Sequence, residues 1–300
     1  MTDVILSRRG FLTAAGAAAG GIALAGCSGG STAPSRPSAS ENAQVKPARI
    51  AYGADPSQFG ELSRPAPGRS HGTVVIVHGG FWRAQYGLDL GRPLAADLAG
   101  RGYTCWNLEY RRVGNGGGWP ATFDDVAAGI DHLAQLDVDT ATVVAVGHSA
   151  GGQLAVWAAG RDRLPAAAPG AAPAVTLTGA VAQAGVLDLA VAATTGVGSG
   201  APVDLLGGVP TQVPERYRLA NPIARVPIAA PVLCVHARAD ADVPYAQSTA
   251  YAAAAVEAGG RAALHEVAGD HFTLIDPTSK AWAVVRDALP ELLAGRLPTS

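Results

Sequence analysis

Thr142-Val143-Val144-Ala145-Val146-Gly147-His148-Ser149-Ala150-Gly151-Gly152 is the stretch from which the rest of the chain can be read. An apolar run without alternation ends in G-x-S-x-G, and a helix-like segment, 149–159, follows. A strand buried on both faces, feeding a helix through so short a turn, is the setting of a nucleophile elbow. The glycines are sterically required, because a side chain two residues before or after the serine would meet the neighbouring strand or helix. The turn thrusts Ser149 out at a helix N-terminus, whose partial positive charge favours a developing oxyanion. The motif also occurs at Gly26-Cys27-Ser28-Gly29-Gly30, where neither strand nor helix flanks it. Context, and not the five letters, singles out Ser149.

Outward from this stretch, further apolar runs of strand length lie at 73–78, 103–109, 179–185, 231–236 and 262–267. Helix-like stretches lie at 88–98, 123–136, 246–258 and 278–294, and Thr122 with Asp125 has the spacing of a capping box. Alternating strand and helix predicts a mainly parallel sheet with helices on both faces and right-handed crossovers. A single domain over 47–300 is expected. The connection between the runs ending at Gly185 and starting at Pro231 is long, with helix-like pieces at 202–206 and 214–220, and has the size of a lid or binding loop.

Composition narrows the function. The 300 residues carry a formal charge of −2, 48% hydrophobic residues and 15% charged ones. That is a foldable chain with no basic footprint for nucleic acid. Its only lysines, Lys46 and Lys280, leave almost no candidate for lysine-based chemistry. Three cysteines without a C-x-x-C pair give neither a disulfide framework nor a zinc site; Cys105 and Cys234 fall in apolar runs and read as buried thiols. No metal or cofactor is expected.

The N-terminus reads as an address. Ser7-Arg8-Arg9-Gly10-Phe11-Leu12 precedes an uncharged stretch to Gly26, a basic segment followed by an apolar one. It resembles a twin-arginine export signal, and Leu24-Ala25-Gly26-Cys27 resembles a lipobox. Residues 1–26 are therefore expected to direct the chain to the twin-arginine export machinery and to be absent from the mature protein. Cys27 is the expected lipidation site, 27–46 a flexible tether, and the outer face of the bacterial cytoplasmic membrane or envelope the expected location.

A serine nucleophile needs a base, an acid that orients the base, and oxyanion donors. His271 follows the last strand-like run and precedes the last helix, so it shares the C-terminal edge of the sheet with Ser149. His236, at the end of another strand, is the second candidate. His78 and His148 sit inside glycine motifs, where backbone geometry is the expected role, and His71, His132 and His265 read as exposed or packing positions. For the acid, Asp240 is favoured by the chain order Ser, Asp, His, with Asp242 and Asp188 as alternatives. Ala150 supplies one expected oxyanion donor, and the loop His78-Gly79-Gly80-Phe81-Trp82 supplies the other through Gly79, Gly80 and Phe81. Phe81, Trp82 and Trp119 are candidates for a substrate pocket.

Together the H-G-G-F-W loop, Gly147-His148-Ser149-Ala150-Gly151-Gly152, Asn107-Leu108-Glu109-Tyr110-Arg111 and Asp270-His271-Phe272 resemble the α/β-hydrolase superfamily, in particular the group of feruloyl-esterase-like hydrolases and kynurenine formamidases. The resemblance implies an eight-stranded sheet and cofactor-free cleavage of a small-molecule carboxylic ester through an acyl-enzyme. An amide or formamide substrate and a catalytically silent tethered binding protein are the alternatives. The sequence departs from the group's pattern at Ala237, where the turn before the acid commonly has glycine.

Overall fold

The computed structural model describes residues 46–68 and 70–298; the expected export signal, Cys27 and nearly all of the expected tether lie outside them. Eight strands form one sheet: β1 (Ala48–Ala51), β2 (Phe59–Ser63), β3 (Thr73–Val77), β4 (Thr104–Leu108), β5 (Val143–His148), β6 (Gly179–Gln183), β7 (Val232–Ala237) and β8 (Ala262–Val267). Their spatial order is β1-β2-β4-β3-β5-β6-β7-β8. Only β2 runs antiparallel to its neighbours, pairing Ala48 with Leu62 on one side and Ser63 with Cys105 on the other.

The six parallel strands are the six apolar runs, and their burial explains the missing alternation. In β3, Val75 and Val77 enter one core while Val74 and Ile76 enter the other. In β5, Val143 and Ala145 face the first core and Val144 and Val146 the second. Each face is therefore apolar at every second residue, and the two patterns interleave into a continuous run.

Helices α1 (Arg92–Gly100) and α8 (Lys280–Leu293) cover one face; Leu94, Leu98, Trp282, Val285 and Leu289 pack there. Helices α2 (Ala121–Asp131), α3 (Ala150–Ala159) and α7 (Ala246–Glu257) cover the other, through Phe123, Leu154 and Tyr251 among others. Helix α3 is buried along its whole length, so its apolar face has no polar counterpart.

The expected capping box at Thr122 and Asp125 does not form. Helix α2 already starts at Ala121, so Thr122 lies inside the first turn. Its hydroxyl donates to the Arg111 carbonyl and accepts from Gly118 N–H, while Asp125 receives the Arg111 guanidinium. The expected helix at 123–136 likewise ends at Asp131 and finishes as a tighter 3-10 turn.

The long connection holds three short helices: α4 (Leu189–Thr195), α5 (Ala201–Leu206) and α6 (Pro214–Ala220). It is not a detached surface crossover. Leu189, Leu205, Leu206 and Tyr217 join the core that contains α3. No helix of the described residues is long and apolar enough to cross a membrane.

Candidate active site

Ser149 sits between β5 and α3 with φ 56° and ψ −120°, a backbone conformation an L-residue adopts only when its surroundings enforce it. The surroundings are the glycines. A Cβ on Gly147 would stand 2.0 Å from the Gly151 carbonyl oxygen, and one on Gly151 2.0 Å from that of Val77. The Ser149 N–H donates to the Gln183 carbonyl at 2.8 Å, tying the elbow to β6.

The turn after β8 carries His271 and the turn after β7 carries Asp240, so both reach the edge of the sheet that Ser149 occupies. His271 Nδ1 lies 2.7 Å from Asp240 Oδ2. Nδ1 donates to the carboxylate, which leaves Nε2 bare and able to accept a proton. Both side chains of the pair are shielded: those of Asp240 and His271 are 0% and 4% exposed. His271's own hydrogen bonds are this one and the bond its carbonyl accepts from His148. The contact from Ser149 Oγ to His271 Nε2 is not closed here; such contacts commonly tighten only when substrate is bound.

Burial alone would raise the Asp240 pKa, but donors on both oxygens outweigh it. His236, His271 and the Val243 N–H hold the carboxyl well below the usual carboxylate range. Asp240 thus stays ionised and stabilises the imidazolium that would form on His271.

Of the three carboxylates left open by the sequence, only Asp240 meets His271 Nδ1. Asp242 is exposed, one residue beyond the turn. Asp188 caps α4, accepting from Ala190 N–H and Val191 N–H at 3.1 Å each. The Ala237 substitution does not disturb the register: its φ is not positive, so the turn from Ala237 to Asp240 needs no glycine. Asp240, Asp242 and His271 can bring one ligand atom each within 4.8 Å, but Asp240 Oδ2 and His271 Nδ1 are already committed to each other.

The expected oxyanion donors come together. Gly79 approaches the nucleophile so closely that a Cβ there would lie 3.0 Å from Ser149 Cβ. Gly80, Phe81 and Trp82 follow with φ of 109°, 51° and 53°. Three successive left-handed residues turn the chain tightly, and among the described residues the N–H groups of Gly80, Phe81 and Ala150 take no backbone partner. They remain available to an oxyanion.

The pocket expectations need correction. Trp82 is fully buried and its indole N–H donates to Gln153 Oε1 at 3.1 Å, pinning the oxyanion loop to α3. Trp119 packs on Phe123 with ring centroids 5.1 Å apart. Only Phe81 lines an open groove, of about 470 Å³, together with Arg83, Tyr86, the segment 195–199, Asp242 and Pro244. The inserted segment forms one wall: Gly198 lies against the Phe81 ring, and Arg83 donates to the Gly198 carbonyl at 2.9 Å. A groove of this size suits a small-molecule ligand.

Two histidines set aside as backbone pieces have side-chain partners. His148 Nε2 donates to the His271 carbonyl at 2.9 Å. His78 Nδ1 donates to the Gly79 carbonyl at 2.7 Å, while its ring stacks on Tyr110 at 4.4 Å and its Nε2 faces Arg112, which ion-pairs with Glu109. Nε2 lies between Arg112 Nη1 at 3.2 Å and Glu109 Oε1 at 3.1 Å, and it is the Gly79 carbonyl, which can only accept, that keeps a proton on Nδ1, aimed at the oxyanion loop. Burial pushes both imidazoles down to about 3, so they act as neutral hydrogen-bonding groups. His236 is fully buried and touches Asp240, not Ser149, so it is no alternative base. Burial likewise pushes the Cys234 thiol up to about 12 and that of Cys105 further still, as expected for inert core thiols.

Comparison with known proteins places this geometry in a family. The BD-FAE family model matches residues 63–254, which include the oxyanion loop, Ser149 and Asp240 and stop short of His271. Esterase LipQ of Mycobacterium tuberculosis is 31% identical over 202 residues, covering 65% of this chain and 48% of that protein, so the chain spans about half the length of this curated relative. Among solved structures, a truncated carbohydrate esterase from gut microbiota superposes with TM-score 0.68 at 21% identity, covering 82% of this chain and 95% of that one. The butyrate-bound esterase Est2 of Thermogutta terrifontis gives 0.66 at 20% identity, covering 86% and 98%. Esterase B of Lactobacillus rhamnosis gives 0.67 at 22% identity, covering 80% and 85%. The structural likenesses carry the fold and the family model spans most of the domain: this chain belongs to the BD-FAE family and has the α/β-hydrolase fold.

Proposed function

We propose that the protein is a serine hydrolase that cleaves carboxylic esters through an acyl-enzyme. The observation that carries this reading is the 2.7 Å contact from His271 Nδ1 to Asp240 Oδ2 beside a serine held on a strained elbow. His271 takes the Ser149 proton as Oγ attacks the ester carbonyl. The oxyanion is received by N–H groups of Ala150 and of the Gly80–Phe81 segment. His271 then protonates the leaving alkoxide, and on return activates the water that releases the acid.

The groove beside Phe81 fits a small acyl or alcohol group, and the names of the relatives, esterases throughout, point the same way. The test is hydrolysis of p-nitrophenyl esters of increasing acyl length by the full-length protein and by Ser149→Ala. Turnover lost in the variant is expected, and the length profile sizes the groove. A folded protein that hydrolyses no ester, yet hydrolyses aryl formamides, would transfer the reading to amide cleavage.

The export reading belongs to the same proposal. The arginine pair Arg8-Arg9, the uncharged stretch and Cys27 support delivery by the twin-arginine machinery and lipid anchoring at the outer face of the membrane. Fractionation of cells that carry Cys27→Ser tests it: release of the protein from the membrane fraction is expected, and unchanged sedimentation would remove the anchor.

A further inference from the structure

His236 lies at the end of β7, has no solvent exposure, and takes no part in the reaction as written above. Its surroundings fix which ring nitrogen carries a hydrogen. Nε2 has two acceptors in reach, the Val243 carbonyl at 3.1 Å and Asp240 Oδ2 at 3.2 Å, and so must carry a hydrogen. Nδ1 of the neutral ring then accepts from the Ser248 hydroxyl at 2.8 Å. The Tyr245 ring closes the remaining side, edge-on at 5.4 Å.

The Asp240 carboxylate offers about four lone-pair positions, and all four are used. Oδ1 accepts from Asp242 N–H at 2.9 Å and Val243 N–H at 2.8 Å. Oδ2 accepts from His271 Nδ1 at 2.7 Å and lies 3.2 Å from His236 Nε2, whose one hydrogen it shares with the Val243 carbonyl. Two of the donors are backbone and one is the base itself. The fourth, His236, is the only other side chain that bears on the oxygen facing the base.

We propose that His236 is a positioning residue of the site: held at Nδ1 by Ser248, it donates to Asp240 Oδ2 and fixes the carboxylate so that His271 keeps Nδ1–H inward and Nε2 toward Ser149. The inference rests on the triad proposed above. Its sign follows from charge. The titratable groups around His271 are Asp240, the nearby Asp242, and His148, whose ring lies 4.4 Å away. Loss of the His236 donor leaves the Asp240 charge less satisfied, so the carboxylate holds an imidazolium more tightly and the base is protonated at a higher pH.

Full-length wild type, His236→Phe, His236→Gln and Ser248→Ala are compared across pH 5 to 9 on a p-nitrophenyl ester. The downfield proton resonance of His271 Nδ1 is recorded in the same proteins and assigned by its loss in His271→Ala. His236→Phe keeps a ring but no donor. Its kcat is expected to fall about tenfold or more with KM within about twofold, its acidic limb to move up, and its Nδ1 resonance to shift or broaden. His236→Gln places an amide N–H near the lost one and is expected to restore all three. Ser248→Ala, which removes the partner of Nδ1 and loosens the ring, is expected to show the same changes in weaker form and serves if His236→Phe does not fold. Wild-type kcat and an unmoved or lowered limb in His236→Phe and Ser248→Ala overturn the proposal, as does a glutamine variant no better than phenylalanine. Absence of wild-type turnover would overturn the esterase reading instead, and the resonance would then still report whether His236 holds the Asp240–His271 pair.

Discussion

His148 Nε2 donates to the backbone carbonyl of His271 at 2.9 Å, and the two rings lie 4.4 Å apart. The residue before the nucleophile therefore holds the loop that carries the base. The loop is held besides by Asp270, which accepts from the Phe272 and Thr273 N–H groups, and by Gln183, which donates to the Leu274 carbonyl. It is a short turn after β8, an edge strand whose outer side is unpaired, and Phe272 beyond the histidine is 59% exposed. Two residues far apart in sequence are thus coupled by one hydrogen bond at the point where the spacing of Ser149 and His271 is set.

Removal of that bond should cost turnover more than binding. For His148→Ala, kcat is expected to drop about 10- to 100-fold with KM changed little, because a small displacement of a catalytic group is felt mainly in the transition state. For His148→Gln, whose amide can donate to the same carbonyl, kcat is expected within about fivefold of wild type. Steady-state kinetics on one ester decides it; equal losses in both variants would show that the ring, not the hydrogen bond, matters.

The elbow makes a contrast between two glycines. At Gly151 a Cβ would stand 2.0 Å from the Val77 carbonyl oxygen, and backbone cannot give way as a side chain can. Gly151→Ala is expected to destabilise the fold by about 3 kcal/mol. Gly100, in α1, has nothing within 4 Å of an added Cβ and no positive φ. Gly100→Ala should stabilise by about 0.5–1 kcal/mol, through the entropy of the unfolded chain. Urea unfolding of the pair measures both, and two shifts of the same sign would contradict this account.

How far the sequence reached depended on how local each signal was. The parallel strands were legible because burial on both faces makes them continuous apolar runs, and Ser149 because its elbow demands glycine at fixed offsets. β1 and β2 were not legible as strands: both are short, and β1 lies at the edge and is mostly exposed, so no apolar pattern marks them. The α2 start was misplaced because Thr122 and Asp125 serve Arg111 across space, and spacing cannot tell such a partner from a cap. The chain order of Ser, Asp and His pointed to Asp240, but choosing it over Asp242 required the geometry of the turn. The supporting shell was out of reach altogether. Trp82 to Gln153, His236 to Asp240 and His78 to Arg112 join separate elements, and nothing in the local sequence encodes which pairs meet.

The ion pair behind the oxyanion loop is expected to be costly to halve. The side chains of Arg112 and Glu109 are 7% and 9% exposed, and Glu109 also receives the N–H groups of Leu88 and Tyr110. Arg112→Leu leaves a buried carboxylate without its cation and takes away one of the two groups that face His78 Nε2. A loss of about 3 kcal/mol in stability is expected, with kcat reduced. Replacement of both partners by apolar residues, Glu109→Leu with Arg112→Leu, should recover part of the stability but not of the turnover. A double-mutant cycle on unfolding and on kcat separates the two effects.

Burial of His78 and His148 as neutral rings makes stability depend on pH, and the sign can be worked out. Their folded pKa values are lowered to about 3 from an ordinary 6.5. Below pH 6.5 the unfolded chain therefore binds protons that the folded one refuses. The contribution of both is complete above pH 6.5 and is lost progressively as pH falls from there toward 3, at up to about 1.4 kcal/mol per pH unit for each histidine. Carboxylates interfere little above pH 5, so urea midpoints between pH 8 and 5 isolate the histidines. Stability should be flat from pH 8 to about 7 and then decline. In His148→Gln, which keeps the donor to His271 but cannot titrate, the decline should be shallower by about one proton. An equal slope in wild type and variant would mean that His148 is free to take up a proton in the folded protein, and the bond that holds the base loop would then have to survive on an imidazolium.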